Sequence, residues 1–329
     1  MIETLSHAFA PGETRHWRFG SLDLWVHRQQ RSWLFAAAPG ASAAAPSVSG
    51  AAPGASAGAP GPSDAAVATS VASPSGGPAT TDPALPPDAA EELTASGPDE
   101  LKKPDDVEWK RVVPRSTDAT IRFSPVMADR PVVVRTQFPL TLNPRAATTF
   151  YADLPVWVRV SAAPAGALKA DESAGANARR EVPVEYLYET PAKLLSNTWY
   201  GGPLTGKLCY TLDTTLHYDP ELIRRGDVVV GCRLTITNQT KRPFSVGKIA
   251  VFANLLSVYR VSETSSSPLP AGYWTEDARA ILTGDDELTV GVGDKAPAAD
   301  ARLVGPARER SSDSIIKKSL ILLKKISNY

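Results

Sequence analysis

What is scarce in this chain closes off several classes of function. Its 35 Lys and Arg are matched by 35 Asp and Glu, leaving no net charge. Without a basic field to hold a polyanion, no nucleic-acid partner is expected. No run of about 18 apolar residues is present, so no transmembrane helix is expected. The N-terminus MIETLSHAFAPGETRHW has neither the basic start nor the apolar centre of a secretory leader. A cytoplasmic location is therefore the expectation, and two cysteines, Cys209 and Cys232, are compatible with it. The four histidines are scattered, with no H-x-x-x-H or H-E-x-x-H, so no metal site and no cofactor is expected. The one G-x-S-x-G match, Gly54 to Gly58, falls in the low-complexity tract and not at a strand-to-helix elbow, and no catalytic residue is assigned.

From Ala36 to about Glu100 the chain lacks Lys, Arg and every aromatic residue and consists mainly of Ala, Pro, Gly, Ser and Thr. Such a tract has too little bulky apolar surface to offset the entropy of ordering it. Residues 36–105 read as a disordered insert, and APAGALKADESAGANARR as a shorter loop. What remains can form one large β domain.

The structured parts alternate with a period of two. Leu22, Leu24 and Val26 interleave with Asp23, Trp25 and His27, and a second strand around Trp33 and Phe35 runs into the insert. That placement makes the tract an insertion between strands whose flanks share a sheet system. Later runs such as RPVVVRTQFPLTLNP and LPVWVRVSA are short, β-branched and bounded by turn residues. Prolines 131, 139, 144 and 155 confine their positions to strand ends and edges. In VVVGCRLTITN, Val228, Val230, Cys232, Leu234 and Ile236 share one face, while Val229, Gly231, Arg233, Thr235 and Thr237 take the wet one. NQTKRP then turns the chain, and ARAILTG and ELTVGVG form a hairpin. The fold expected is all-β, an antiparallel β-sandwich, with residues 1–35 giving the first strands, 106–305 the main sandwich and 306–329 a tail.

GGPLTGKL at 201–208 approaches the G-x-x-x-x-G-K spacing of a phosphate loop. Such a loop needs converging backbone N–H groups, a hydroxyl after the lysine and a following helix. Pro203 removes an N–H, Leu208 replaces the hydroxyl, and LCYTLDTTLHY alternates as a strand. The glycines therefore read as a hairpin turn. Parity puts Leu208, Tyr210 and Leu212 on the apolar face and Cys209 on the more polar one, so Cys232 is expected as a free, buried thiol with no disulfide to Cys209. Asp213 and His217, four residues apart along a strand, are separated by roughly 13 Å and form no dyad.

EYLYETPAKLLSNTWYGG concentrates aromatic residues with polar tips beside acids and a glycine loop. That density marks a recognition surface or an ordinary core. The candidate ligand- or partner-binding residues are Glu185, Tyr188, Glu189, Trp199, Tyr200, Gly201, Gly202 and Lys207. The leading expectation is a non-enzymatic module binding an unknown protein or small molecule through Trp199 to Lys207. The alternative is a hydrolase or transferase with Glu185 or Glu189 as acid or base. In the tail SIIKKSLILLKKISNY, lysine pairs seven residues apart read as an amphipathic helix, a membrane-surface contact or a foreign C-terminus.

The stretch ETPAKLLSNTWYGGPLTGKLCYTLDT, preceded by QFPLTLNPRAATTFYADLPVWVRV and followed by VVVGCRLTITNQT, resembles an uncharacterised prokaryotic family, one of the numbered domains of unknown function. The likeness lies in the Pro-introduced P-V-x-V strand, the aromatic–Tyr–Gly step before a glycine turn, and the Cys-Tyr strand after it. It covers most of the chain outside the insert and the tail, and it implies no activity.

Overall fold

A computed structural model of the chain describes residues 6–40, 103–115, 119–164, 185–201, 203–204, 206–226, 228–263, 267–283, 287–309 and 318–321. The N-terminal strands are β1 (Ser6–His7), β2 (Thr14–Phe19), β3 (Leu22–Arg28) and β4 (Trp33–Pro39). Next come β5 (Lys110–Val112), β6 (Ala119–Val126), β7 (Val132–Leu142), β8 (Ala147–Pro155) and β9 (Trp157–Pro164). The middle of the chain holds β10 (Glu185–Pro191), β11 (Ser196–Tyr200), β12 (Lys207–Asp213), β13 (Leu216–His217), β14 (Val229–Asn238) and β15 (Phe244–Val251). Then follow β16 (Val258–Val261), β17 (Gly272–Trp274), β18 (Ala278–Leu282), β19 (Glu287–Val292), β20 (Arg302–Gly305) and β21 (Lys318–Ile321). Two 3-10 turns, Pro220–Leu222 and Ala253–Leu255, are the helical pieces among the described residues. The chain is mainly β.

These strands sort into four sheets. Three have four strands each, ordered β2-β3-β4-β5, β1-β6-β9-β10 and β11-β12-β7-β15, and the fourth has nine strands built around β14. Most pairings are antiparallel, but β12 runs parallel to β7, and β14 runs parallel to β17 and β18. One apolar cluster draws on all four sheets, with Leu24 and Phe35 from the first, Phe123 and Val160 from the second, Val133 and Leu212 from the third, and Leu234 and Ile236 from the fourth. A sheet with one buried face is stable only when another element covers that face. Here the four sheets cover one another.

The insert opens from a paired stem. β4 continues through Pro39, so Ala36–Pro39, which composition groups with the insert, belong to the sheet; their backbone pairs with β3 from Trp25↔Ala36 to Leu22↔Pro39. Residues 41–102 lie outside the described residues. On its return the chain pairs with the strand it left, Trp33↔Val112 through Phe35↔Lys110, so both flanks share one sheet. Residues 165–184, which hold most of the second expected loop, are also outside the described set.

β14 shows the expected alternation: Val230, Cys232, Leu234 and Ile236 are all buried, and Arg233, Thr235 and Thr237 are partly exposed. Gly231 departs from it. It is buried because the Trp274 ring lies where its side chain would be, and a Cβ there would come within 2.6 Å of the ring. β3 departs further, since Asp23 and Trp25 are as buried as Leu22, Leu24 and Val26. Pro139 lies inside β7, but β12 pairs only with Val132 to Arg135, and the β15 register shifts opposite the stretch between Arg135 and Leu140. Its missing N–H therefore falls where the ladder is already interrupted.

At the end of β14 the chain leaves one sheet for another, and Asn238 holds this crossing. Its fully buried side chain donates from Nδ2 to the carbonyls of Leu142 (3.0 Å), Asn143 (3.1 Å) and Arg242 (2.9 Å). Its Oδ1 accepts from the Thr240 N–H at 2.9 Å and the Thr240 hydroxyl at 2.7 Å. The NQTKRP turn is thus tied to the β7–β8 turn. In the tail, Lys318–Ile321 form a strand against β19, Val290↔Lys318 to Glu287↔Ile321, where an amphipathic helix was expected. The outer ladder of β19 offers backbone partners that a short, isolated helix lacks. The other residues of that expected helix lie outside the described set.

Asn238→Ala should lower stability by about 2–4 kcal/mol, because buried carbonyls lose their donors together. The urea midpoint should fall with an unchanged slope; an unmoved midpoint would show that the crossing is held some other way.

Candidate functional site

β10 carries three of the candidate residues, and the structure separates them. A register shift between Tyr186 and Tyr188 re-aims the strand, as bulges do. On one side, Glu185 Oε2 accepts from the Arg115 N–H at 2.8 Å. Tyr188 faces the stem of the insert, its ring stacked on Phe35 with centroids 5.0 Å apart and planes within 2°. Lys110 Nζ lies 5.8 Å from that ring. Burial raises the Tyr188 phenol above its ordinary value, while a bond with Thr190 acts against the shift. Tyr188 and Thr190 form one wall of an open cleft of about 570 Å³, with Ala37, Pro39 and Val107 on the other side.

Glu189 belongs to a different cluster. Arg159 Nε donates to its Oε1 and Arg308 Nη1 to its Oε2, the latter at 2.5 Å. Arg159 in turn lies over Tyr186, 4.3 Å from the ring centroid. With each oxygen held by its own guanidinium, Glu189 ties β9 and β10 to the segment after β20. Neither Glu185 nor Glu189 lines the cleft.

The remaining candidates stand on the β11–β12 hairpin of another sheet. β11 and β12 pair in unbroken register from Ser196↔Thr211 to Tyr200↔Lys207. Gly201 has φ of 108°, a left-handed conformation that suits glycine, and no helix begins at Lys207. The phosphate-loop spacing therefore sits in a hairpin. Gly202 lies outside the described residues. Tyr200 is buried, its hydroxyl has no hydrogen-bond partner among the described residues, and burial, helped by Cys209, pushes its phenol up to about 12. Lys207 Nζ lies 5.8 Å from the Phe252 ring. Cys209 corrects the parity expectation: it is buried. The face it shares with Tyr200 is the inward one at this end of the strand, and Leu208 points outward. Both cysteines are free thiols, and burial pushes Cys232 up to about 12.

On the outer face, Trp199 and Leu208 are direct cross-strand partners, 54% and 45% exposed. Leu204 at the turn is 98% exposed, and Leu194 just before β11 is 74% exposed. Four of the nine exposed large apolar side chains among the described residues thus fall between positions 194 and 208. Farther along the same face the Tyr210 hydroxyl donates to Asp129 Oδ1 at 2.9 Å, and Arg130 lies 5.4 Å from the Tyr210 ring while donating to Asn197 Oδ1 at 3.3 Å. Sequence parity missed Leu208 because it treated the whole even face as covered. Trp157 covers that face at Tyr210, 5.4 Å between rings, and Leu212 is buried beyond it.

A buried polar group on β2 and β3 was also not foreseen. His16 Nε2 lies 2.9 Å from Asp23 Oδ1, and Arg18 grips the same carboxylate at 2.8 and 3.1 Å. The register His16↔Trp25 and Arg18↔Asp23 brings these side chains together, a pairing that a single strand's pattern does not display. Burial disfavours the charged form of Asp23, but the bonds from Arg18 and His16 outweigh it and hold the carboxyl below its usual range. Among the described residues no group of three or more His, Cys, Asp or Glu is arranged to hold a metal ion. No helix among them is long and apolar enough to cross a membrane.

The fold and this surface define a mainly β protein with an apolar hairpin at the edge of one sheet. By its sequence the chain belongs to the family described as protein of unknown function (DUF432), whose model matches residues 6–324. The resemblance carried by the Pro-rich strands and the Trp-Tyr-Gly step is confirmed by that match. Comparison with curated proteins and with solved structures gives no match.

Asp23 makes a pH test. A carboxyl held below its unfolded value stabilises the fold above that unfolded value, and the contribution is lost as pH falls through the depressed folded one. Asp23→Asn should therefore lower the urea midpoint at neutral pH and shrink the wild-type loss on acidification. Parallel acid limbs in the two proteins would contradict this role.

Proposed function

We propose that the chain is a non-enzymatic binding module whose protein partner docks on the outer face of the β11–β12 hairpin. The observation that carries this reading is the side-by-side exposure of Trp199 and Leu208, extended by Leu194 and Leu204. A half-exposed tryptophan next to aliphatic neighbours gains most when a partner removes it from water, and such residues dominate the energy of protein interfaces. The candidate residues divide accordingly: Trp199 makes contact, Tyr200 and Gly201 hold the hairpin in place, and Lys207 supplies charge at its end. Glu185 and Tyr188 belong to the insert stem and Glu189 to the arginine clamp. A general acid or base needs an oxygen within reach of substrate, and both Glu189 oxygens are held by arginines. We place the module in the cytoplasm, a reading supported by two thiols left unbridged.

Trp199→Ser combined with Leu208→Ser should leave the free energy of urea unfolding within about 0.5 kcal/mol of wild type, as exposed substitutions do. Affinity capture from the native cell with the full chain should lose its bound protein in this variant. Tyr200→Ser should instead destabilise the fold by about 3 kcal/mol or more, the cost of truncating a buried aromatic. An unchanged set of captured proteins with the double variant would refute the docking surface.

A further inference from the structure

We propose a pH-sensitive tie inside the fold: the Glu276 side chain fastens the start of β16 to the connection between β17 and β18, and the fastening loosens as pH rises out of the acid range. Glu276 is 7% exposed, and Thr275 before it is 1% exposed. Its Oε2 accepts from the Ser257 N–H at 2.7 Å, and its Oε1 accepts from the Tyr259 hydroxyl at 3.1 Å. Ser257 carries the connection onward, because its hydroxyl oxygen accepts from the Ala307 N–H at 3.3 Å. The next two N–H groups, of Arg308 and Glu309, both donate to the Asn254 carbonyl at 3.1 Å. One carboxyl group thus braces β16 directly and, through Ser257, the segment that follows β20.

The backbone accounts for an acid in this place. β17 and β18 both run parallel to β14, with Gly231 opposite Trp274 and Leu234 opposite Ala278, and residues 275–277 span the gap between them. The Thr275 N–H is bonded to the Gly231 carbonyl at 3.0 Å, which fixes where Glu276 starts. Two adjacent acids then take opposite surroundings. Asp277 turns to Arg233 of β14, whose guanidinium holds it at 2.7 and 2.5 Å, whereas the two bonds to Glu276 come from uncharged donors. The titratable groups that face Glu276 are Tyr259 of β16 and Cys232 of β14. Burial, with the charge of Glu276 adding to it, pushes both up to about 12, so both keep their protons through neutral pH. Arg260 alternates to the other face of β16, and Arg308 after β20 is engaged by Glu189 and the Met127 carbonyl.

Burial disfavours the ionised form of Glu276, and the bonds from Ser257 and Tyr259 favour it; burial is the stronger, and it holds the carboxyl above its ordinary range. A Glu276 released into water holds its proton less tightly. The stability this group contributes is therefore fully present below the unfolded value and lost as pH rises through the raised folded one. The same linkage governs a local opening that lets Glu276 reach water without unfolding the chain. Such an opening frees the Ser257 N–H and loosens the anchor of Ala307, so the segment after β20 responds to pH through one proton.

Urea unfolding of the full chain, followed from about pH 5 to pH 8, compares wild type with Glu276→Gln, which keeps the size of the side chain and removes its charge. Every other titrating group is common to both proteins, so the difference between them isolates Glu276. The midpoint of the variant should rise relative to wild type as pH increases. Tyr259→Phe removes a bond that favours the charged form, so the same comparison made in that background should show the rise at higher pH. A difference that stays flat with pH, or a rise that Tyr259→Phe leaves in place, overturns the assignment to Glu276. Amide hydrogen exchange on the wild type needs no variant and decides the matter even where Glu276→Gln fails to fold. Corrected for intrinsic exchange, the Ser257 and Ala307 amides should lose more protection between pH 5 and pH 8 than the amides of the β8–β14 ladder. Equal changes at the two places would overturn a local tie.

Discussion

Four sheets share one apolar core, and that sharing is the constraint from which the rest of the structure follows. None of the sheets closes on itself, so each hides its inner face against the others and leaves its end strands at the periphery. Every added sheet adds edges, and every edge has unpaired backbone that must be shortened, bent, charged or used. Most of the irregular features serve the first three ends: the bulges in β10 and β15, the interrupted ladder around Pro139, and the arginines and lysines of the outer strands. β11 carries the half-exposed Trp199 instead.

Polar groups inside the molecule serve the same arrangement. Asn238 satisfies three carbonyls and a turn where the chain passes between sheets, a place where backbone groups would otherwise be buried without partners. Asp23 joins β2 and β3 through His16 and Arg18, and Glu189 joins two strands to the segment after β20 through two arginines. In each case one side chain with two or more acceptor or donor positions binds several pieces of chain. Such groups cost most when one partner is lost, because the others remain buried.

Much of the fold was legible in the sequence because a period of two needs only local information. β14, the β18–β19 hairpin and the GGPLTGKL turn follow from alternation and from where Gly and Pro stand. Parity failed where burial depends on what lies opposite. β3 is covered on both faces, so Asp23 is buried; the outer face of β12 is covered at Tyr210 by Trp157 and open at Leu208. The candidate residues were legible as a dense stretch, but their division between two sheets was not, since Tyr188 and Trp199 are only eleven positions apart in the chain and the register of neighbouring strands decides where each points. Lys318–Ile321 differs from expectation for a related reason: lysine spacing suits a helix, while β19 offers these four residues a ladder that the sequence does not reveal.

The central claim is that Trp199 and Leu208, exposed side by side on the β11–β12 hairpin, form a surface that a protein partner covers. Hydroxyl-radical footprinting of the intact chain, alone and in extract of the native cell, tests it directly. The account predicts strong labelling of Trp199 and Leu208 in the free chain and loss of that labelling in the extract, with labelling of the exposed Leu303 unchanged. Equal labelling of Trp199 and Leu208 with and without the extract would contradict the account.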